Sequence, residues 1–313
     1  MRGGEVVPLW TGVVVEAPRL LDPLTRAAAA QLTAGPRAAL CGVTAAHLHG
    51  CECVASPDVH VVVPYGRVVR SRGGLVAHHS RFISEDVQEI GGLHVLALDR
   101  VIADLLCLLP WRGRARDALA VLDQALRMAG PDHETFRKAV AARLEQRPDN
   151  RGTVRARGLL DLGSERAESP PESWLRLILI EHGFPLPEVN WAITTPNGRE
   201  LARLDLAWPR LRICVEYDGW ETHAGRAAAD AARAAELRRH GWIVIRVAVG
   251  DQRSIGELLS ALRAAFAKRG YTCECSALPT VLECWFAVVG TRTRRRRNGD
   301  SPSWMWRLAF ARG

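Results

Sequence analysis

Five side chains in the second half of this chain have the types and spacing for cation and proton chemistry: Glu172, Asp205, Glu216, Asp218 and His223. Asp205 sits in L-D-L-A-W-P, and Glu216 and Asp218 sit in I-C-V-E-Y-D-G, two runs that read as adjacent strands. With Pro209-Arg210 as a tight two-residue turn, Trp208 faces Leu211 and Asp205 faces Cys214. Side chains alternate along a strand, so Cys214, Glu216 and Asp218 then share one face with Asp205. Glu216 becomes the diagonal neighbour of Asp205, at roughly 7–8 Å. An odd loop length would put the two carboxylates on opposite faces.

Carboxylates gathered on mostly apolar strands are costly unless something neutralises them. A divalent cation does so, and Mg²⁺ (or Mn²⁺) takes one or two carboxylates together with waters and phosphate oxygens. Such an ion polarises a phosphodiester and activates an attacking water. The expected metal ligands are Asp205 and Glu216, with Glu172 on the preceding helix as a third oxygen or a tuner of bound water. Asp218 would orient or share the metal. His223, in the loop after Gly219, has the side chain to move a proton near neutral pH. Arg203, Arg233 and Arg246 are the expected phosphate contacts, because guanidinium groups match phosphate oxygens.

Each residue also has a plainer role. Asp205 lies near a hairpin and could be a surface residue. Glu216 and Asp218 could pair with Arg203 or Arg233 in a structural network. Glu172 falls in the first turn of a helix, where the macrodipole favours an acid anyway. A lone loop histidine is often no more than that. The joint pattern carries the functional reading.

The elements that must position these residues follow from hydrophobic periodicity and turn chemistry. Glu172 to Gly183 reads as an amphipathic helix opened by Pro170-Pro171, and Val189 to Thr194 as a strand. Pro196-Asn197-Gly198 is a turn signal, followed by strands over Leu201 to Ala207 and Leu211 to Tyr217. A helix over Arg226 to His240, a buried strand over Trp242 to Val247 and a helix over Asp251 to Arg269 complete the order α-β-β-β-α-β-α. Upstream, helices are expected from Pro23 to Thr33, from Thr44 (as the cap) to His49, and over Asp99–Leu109, Gly113–Met128, Asp132–Leu144 and Thr153–Leu162. Short strands fit Val59–Pro64, Leu75–His79 and Gly92–Leu98.

The fold class expected is therefore α/β: a C-terminal α-β-β-β-α-β core with a separate α+β N-terminal domain. Residues 1–162 form the first domain, 163–169 a polar linker, 170–271 the second domain, and 272–313 a basic, disordered tail. That partition suits 313 residues, 48% hydrophobic and 24% charged, which exclude a mostly disordered chain, a collagen and a coiled coil. No run approaches the roughly 18 apolar residues of a membrane span, and no signal core follows the N-terminus, so a cytoplasmic protein is expected. Lysine occurs only at Lys138 and Lys268, so 40 of the 42 basic residues are arginine. Of the net charge of +8, +4 lies in the last 42 residues, where seven arginines stand against Glu274, Glu283 and Asp300. Eight cysteines follow no framework; Cys41, Cys51 and Cys53 with His47 and His49 lack the paired knuckle of a zinc site, and no structural zinc is expected.

Residues 168–270 resemble the very-short-patch-repair endonuclease-like domain, a branch of the PD-(D/E)XK nuclease superfamily. The likeness rests on E-S-P-P-E-S-W-L-R (168–176), L-D-L-A-W (204–208), V-E-Y-D-G-W-E-T-H (215–223) and D-A-A-R-A-A-E-L-R-R-H-G-W-I-V-I-R-V (230–247). It implies a restriction-endonuclease-like core. Asp205 would be the metal-binding aspartate, Glu172 the acid of the first helix and His223 the catalytic histidine. Glu216 and Asp218 fall at the (D/E)-x-K positions, with Asp218 where the superfamily has lysine. Leu40 to Gly50 (L-C-G-V-T-A-A-H-L-H-G), V-H-V-V-V-P (59–64) and L-D-R-V-I-A-D-L-L (98–106) resemble the AbiEi antitoxin family of type IV toxin–antitoxin systems. Such proteins usually open with a winged helix-turn-helix. This chain is expected to start within the wing, near Gly4 to Val15, without the recognition helix.

Together these imply a metal-dependent DNA endonuclease, with DNA as partner and a cognate toxin or a repair or restriction protein as a further one. The competing reading is a catalytically inert DNA-binding or antitoxin-like regulator, motivated by the missing lysine. The arginine run Arg294 to Arg297 has its own test. If it grips phosphates, deleting residues 272–313 makes the salt dependence of DNA binding shallower; an unchanged slope removes it from the interface.

Overall fold

In the computed structural model of the chain, the described residues are 5–66, 68–194, 200–217, 227–247 and 252–271. They form a mixed α/β structure. Asp218, His223, the 196–198 turn and the whole of 272–313 lie outside them.

The first half opens with an antiparallel hairpin, β1 (Val6–Trp10) and β2 (Val13–Glu16). Helix α1 (Pro23–Ala34) follows. Asp22 caps it by accepting from the Thr25 backbone N–H at 2.8 Å, and Pro23 occupies its first position. The small side chains Ala27, Ala29, Ala30 and Ala34 let α1 press closely on its neighbours. Next come β3 (Ala39–Leu40), α2 (Gly42–Leu48), β4 (Val59–Val63), β5 (Leu75–His79), β6 (Val87–Ile90) and β7 (Leu93–Leu96). The strands form a mixed sheet ordered β5-β4-β3-β7-β6, and β4, buried at every position, sits inside it. Gly91 and Gly92, both at positive φ (58° and 79°), supply the two-residue turn between β6 and β7.

Helix α2 starts two residues before the expected Thr44 cap. Its N-cap is Cys41, and the Thr44 hydroxyl is used otherwise, accepting from the His60 backbone N–H at 2.9 Å and tying α2 to β4. Four helices complete this half: α3 (Leu98–Trp111), α4 (Ala115–Ala129), α5 (His133–Glu145) and α6 (Thr153–Leu162). Helix α3 continues past Leu109 and carries Pro110 in its last turn.

The second half runs α7 (Pro170–Glu181), β8 (Glu188–Thr194), β9 (Glu200–Trp208), β10 (Ile213–Tyr217), α8 (Ala227–Arg239), β11 (Ile243–Val247) and α9 (Gln252–Lys268). Strands β8, β9 and β10 are successive antiparallel neighbours, and β11 returns parallel to β10 at the edge. A crossover helix is what a parallel return requires, and α8 is that helix. One core gathers Leu175 and Leu179 of α7, Leu206, Trp208, Ile213 and Val215 of the sheet, and Leu262 and Phe266 of α9. Another joins Ala207 and Cys214 to Leu237 of α8 and to Trp242.

Helix α7 also packs on α4, and Leu177 joins the core of the first half. At that contact lies a buried ion pair. Arg176 reaches Asp123 at 2.6 Å, with both side chains 2% exposed. Asp123 also accepts from the Ser173 hydroxyl at 2.6 Å and from the Ser164 backbone N–H at 2.7 Å. Burial pushes the Asp123 carboxyl upward, while Arg176 and these donors oppose the shift. Removing one member of such a pair strands the other charge, which typically costs about 3–5 kcal/mol. Arg176→Ala should lower stability to urea unfolding by about that amount, and Asp123→Leu with Arg176→Met should recover part of it. An Arg176→Ala protein as stable as the wild type would show that the pair contributes nothing.

Candidate active site

Strands β9 and β10 bring the predicted carboxylates together, in a register different from the expected one. Pro209 begins a 3-10 turn through Leu211, and Arg212 reverses the chain from the left-handed region at φ 50°. The connection is therefore residues 209–212 rather than the two-residue Pro209-Arg210 turn. Ile213 pairs with Trp208, Cys214 with Ala207 and Val215 with Leu206. Strand β10 has slipped by two positions against the expectation, which preserves the faces. One more step of this register sets Asp205 opposite Glu216, where side chains stand about 4.5–5.5 Å apart at Cβ, instead of on the diagonal.

Glu216 is buried, 8% exposed, and held from two sides. Arg233 of α8 reaches its Oε1 at 3.1 Å and Arg246 of β11 its Oε2 at 3.5 Å. Arg246 lies directly opposite Glu216 in the parallel register. Arg233 also donates to the backbone carbonyl of Arg203. The Arg203 side chain turns away, to Glu200 at 3.1 Å and Glu168 at 3.4 Å. Two of the three expected phosphate contacts are thus engaged with the expected metal ligand.

Asp205 makes no ion pair among the described residues. It accepts the Tyr217 backbone N–H at 2.7 Å. Burial pushes its carboxyl up to about 6; the charges of Glu172 and Glu216 push the same way, and the Tyr217 N–H and Arg233 oppose them. Glu172 thus lies near enough to repel Asp205, although it comes from α7. Its own oxygens accept from the Ser169 hydroxyl at 2.7 Å, the Glu168 N–H at 3.0 Å and the Asn190 side chain at 3.0 Å. Ser169, Pro170 and Glu172 occupy the cap, first and third positions of α7, so Glu172 also serves the helix start.

Asn190 was not anticipated. It sits within β8 at φ 48°, a backbone conformation that asparagine tolerates better than most residues. From there its side chain bridges Glu172 and the Arg166 carbonyl. It also lines an open groove of about 430 Å³ with Trp191, Arg127, Arg166 and Arg203. Nothing in the local sequence around Asn190 advertises this position; only the pairing of β8 with β9 does.

Among the described residues no three His, Cys, Asp or Glu side chains are placed to enclose a metal ion. At the carboxylate cluster, the oxygens of Glu216 and Glu172 are engaged by the partners named above. In the first half, Cys51 lies against the Met128 sulfur at 3.7 Å, and His49 Nε2 bonds the Leu96 carbonyl at 2.8 Å. Two other histidines form an unanticipated pair. Buried His60 stacks on His78 with Nδ1 and Nε2 3.0 Å apart, and burial lowers the His60 imidazole to about 4.

The Asp205 shift has a consequence for stability. The carboxyl releases its proton near pH 3.8 when unfolded and near 6 when folded. The folded state holds the extra proton between these values, so the group costs stability progressively as pH rises through that window. Asp205→Asn keeps an acceptor for the Tyr217 N–H and removes the charge. Without added cation it should gain roughly 1–3 kcal/mol over the wild type at pH 7.5, and the gain should shrink as pH falls toward 4. A gain independent of pH in thermal melts would contradict the assignment.

No protein-family model matches the chain. Two proteins of Mycobacterium tuberculosis do: Uncharacterized protein MT2308 of strain CDC 1551 / Oshkosh and Uncharacterized protein Rv2248 of strain ATCC 25618 / H37Rv. Each is 36% identical over 255 residues, which cover 81% of this chain and 89% of the relative. A match of that length exceeds either half of the chain, so the relatives share parts of both. The chain belongs to the family of these mycobacterial proteins.

Proposed function

We propose that the second half of the chain is a metal-dependent DNA endonuclease with a restriction-endonuclease-like core, which nicks or cuts phosphodiester bonds. The observation that carries the reading is Asp205: a carboxylate without an ion-pair partner among the described residues, close enough to Glu172 and Glu216 to be repelled by both. The α-β-β-β-α-β order of α7 to β11, with the last strand parallel, supports it.

The donor set suits Mg²⁺ or Mn²⁺, since it consists of hard carboxylate oxygens only. Asp205 and Glu216 would hold the ion, and Glu172 would add a third oxygen or tune a bound water. Such an ion supplies Lewis-acid polarisation of the phosphodiester and a water of lowered pKa. The chain's own side chains have distinct tasks. Arg233 and Arg246 stand at the carboxylates, where a scissile phosphate would come. Trp191, Arg127, Arg166 and Arg203 line the groove beside them and would receive the flanking backbone. His223 would transfer the proton and Asp218 would orient the metal side; both lie outside the described residues.

A second reading keeps the DNA contacts and drops the chemistry: an inert, antitoxin-like regulator. Its support is that Glu216 is neutralised by two arginines and Glu172 serves a helix start. Supercoiled plasmid with Mg²⁺ or Mn²⁺ separates the two. Metal-dependent nicking is expected from the wild type, falling at least a hundredfold in Asp205→Ala and Glu216→Ala, the order of loss when a group that stabilises transition-state charge is removed. Activity unchanged in both variants would refute the mechanism. DNA binding without any cleavage would favour the regulator.

A further inference from the structure

The arginines on Glu216 engage both of the oxygens that it would offer to a cation shared with Asp205. Arg233 and Arg246 come from different elements and engage different oxygens of the same carboxylate. Glu216 is 11% exposed at its side chain, whereas Arg233 and Arg246 are 43% and 33% exposed. The carboxylate is therefore fixed, while the guanidinium groups have solvent into which to move. Asp205, on the same face, has one backbone N–H and the charge of Arg233 in its favour and two repelling carboxylates against it. A cation arriving alone must displace at least one arginine from a buried anion and cost that arginine its contact with the Glu216 carboxylate.

A nucleic-acid phosphate changes this balance. It offers a guanidinium a charged, two-oxygen partner equivalent to the carboxylate being given up. We infer that Arg233 and Arg246 form a phosphodiester-operated latch: they hold Glu216 when DNA is absent and transfer to the backbone phosphate when DNA arrives, releasing Glu216 to the cation. The inference rests on the proposed metal-dependent reading. It adds that cation and DNA bind with positive coupling, each raising the affinity for the other by the same factor. Arg233 has a second hold, on the Arg203 carbonyl at the groove, so its transfer is sensed where DNA would enter.

The test is a Mn²⁺ titration of the full chain, read by electron paramagnetic resonance of the free ion. It is run with and without a short phosphorothioate duplex, with duplex-only controls subtracted. Wild type, Arg233→Gln, Arg246→Gln and Asp205→Asn are compared, each checked by circular dichroism. The expected result is weak Mn²⁺ binding by the wild type alone, tightened about tenfold by the duplex, within the usual range of coupling between sites. Arg233→Gln should bind Mn²⁺ about tenfold more tightly than the wild type without DNA, and the duplex should add little more. Arg246→Gln is expected to behave the same way to a smaller degree, and it serves if Arg233→Gln does not fold. Mn²⁺ binding that Asp205→Asn abolishes, but that neither arginine variant nor the duplex alters, would overturn the latch and leave the metal site standing. No binding above the Asp205→Asn background in any protein, with or without duplex, would overturn the metal-dependent reading and the latch with it.

Discussion

A charge pair sealed between two helices joins the halves of this protein. Asp123 of α4 and Arg176 of α7 are as buried as core leucines, and Ser164 and Ser173 donate to the same carboxylate. Neither charge is tolerable alone in that environment, so α7 is specified in place as well as held there. Glu172 is one turn upstream of Arg176 on the same helix, and its position relative to the sheet follows from that anchoring. The relatives match over a length that takes in parts of both halves, as expected if the second half is not built to stand without the first.

The carboxylate cluster shows the same physics with a different outcome. At Asp123 both oxygens have donors and an arginine stands against the charge. Asp205 makes no ion pair among the described residues, and the buried carboxyl responds by holding its proton to about pH 6. Folding has left Asp205 only partly compensated, with two part-exposed arginines close by on Glu216.

Much of this architecture was legible in the sequence. Apolar periodicity located α3 to α9 and the strands of the second half, because those elements bury one face and their patterns are long. The strand pair that carries Asp205 and Glu216 was recognisable for the same reason. Its register was not, because register depends on how Pro209 and Arg212 bend the chain, and a proline in a short connection reads equally well as a two-residue turn or as the start of a helical one. Asn190 was invisible because its role comes from three separated segments. The His60–His78 pair was hidden by β4, whose sequence shows only a β-branched run, and Thr44 passed for a cap because its hydroxyl's real partner lies in that strand. Contacts between neighbours in sequence could be read directly; contacts made by folding could not.

The connection at residues 209–212 also limits how such a chain can drift. A one-residue change there that passed into the strand would turn every side chain of β10 over, exchanging the apolar residues Ile213 and Val215 for Glu216 in the core against α7 and α9. Gaining or losing two would move Glu216 along β9 but keep it on the Asp205 side. Changes of length at this corner are therefore tolerated only where the connection absorbs them or the strand slips in even steps, a parity rule imposed by the pleat rather than by any single residue.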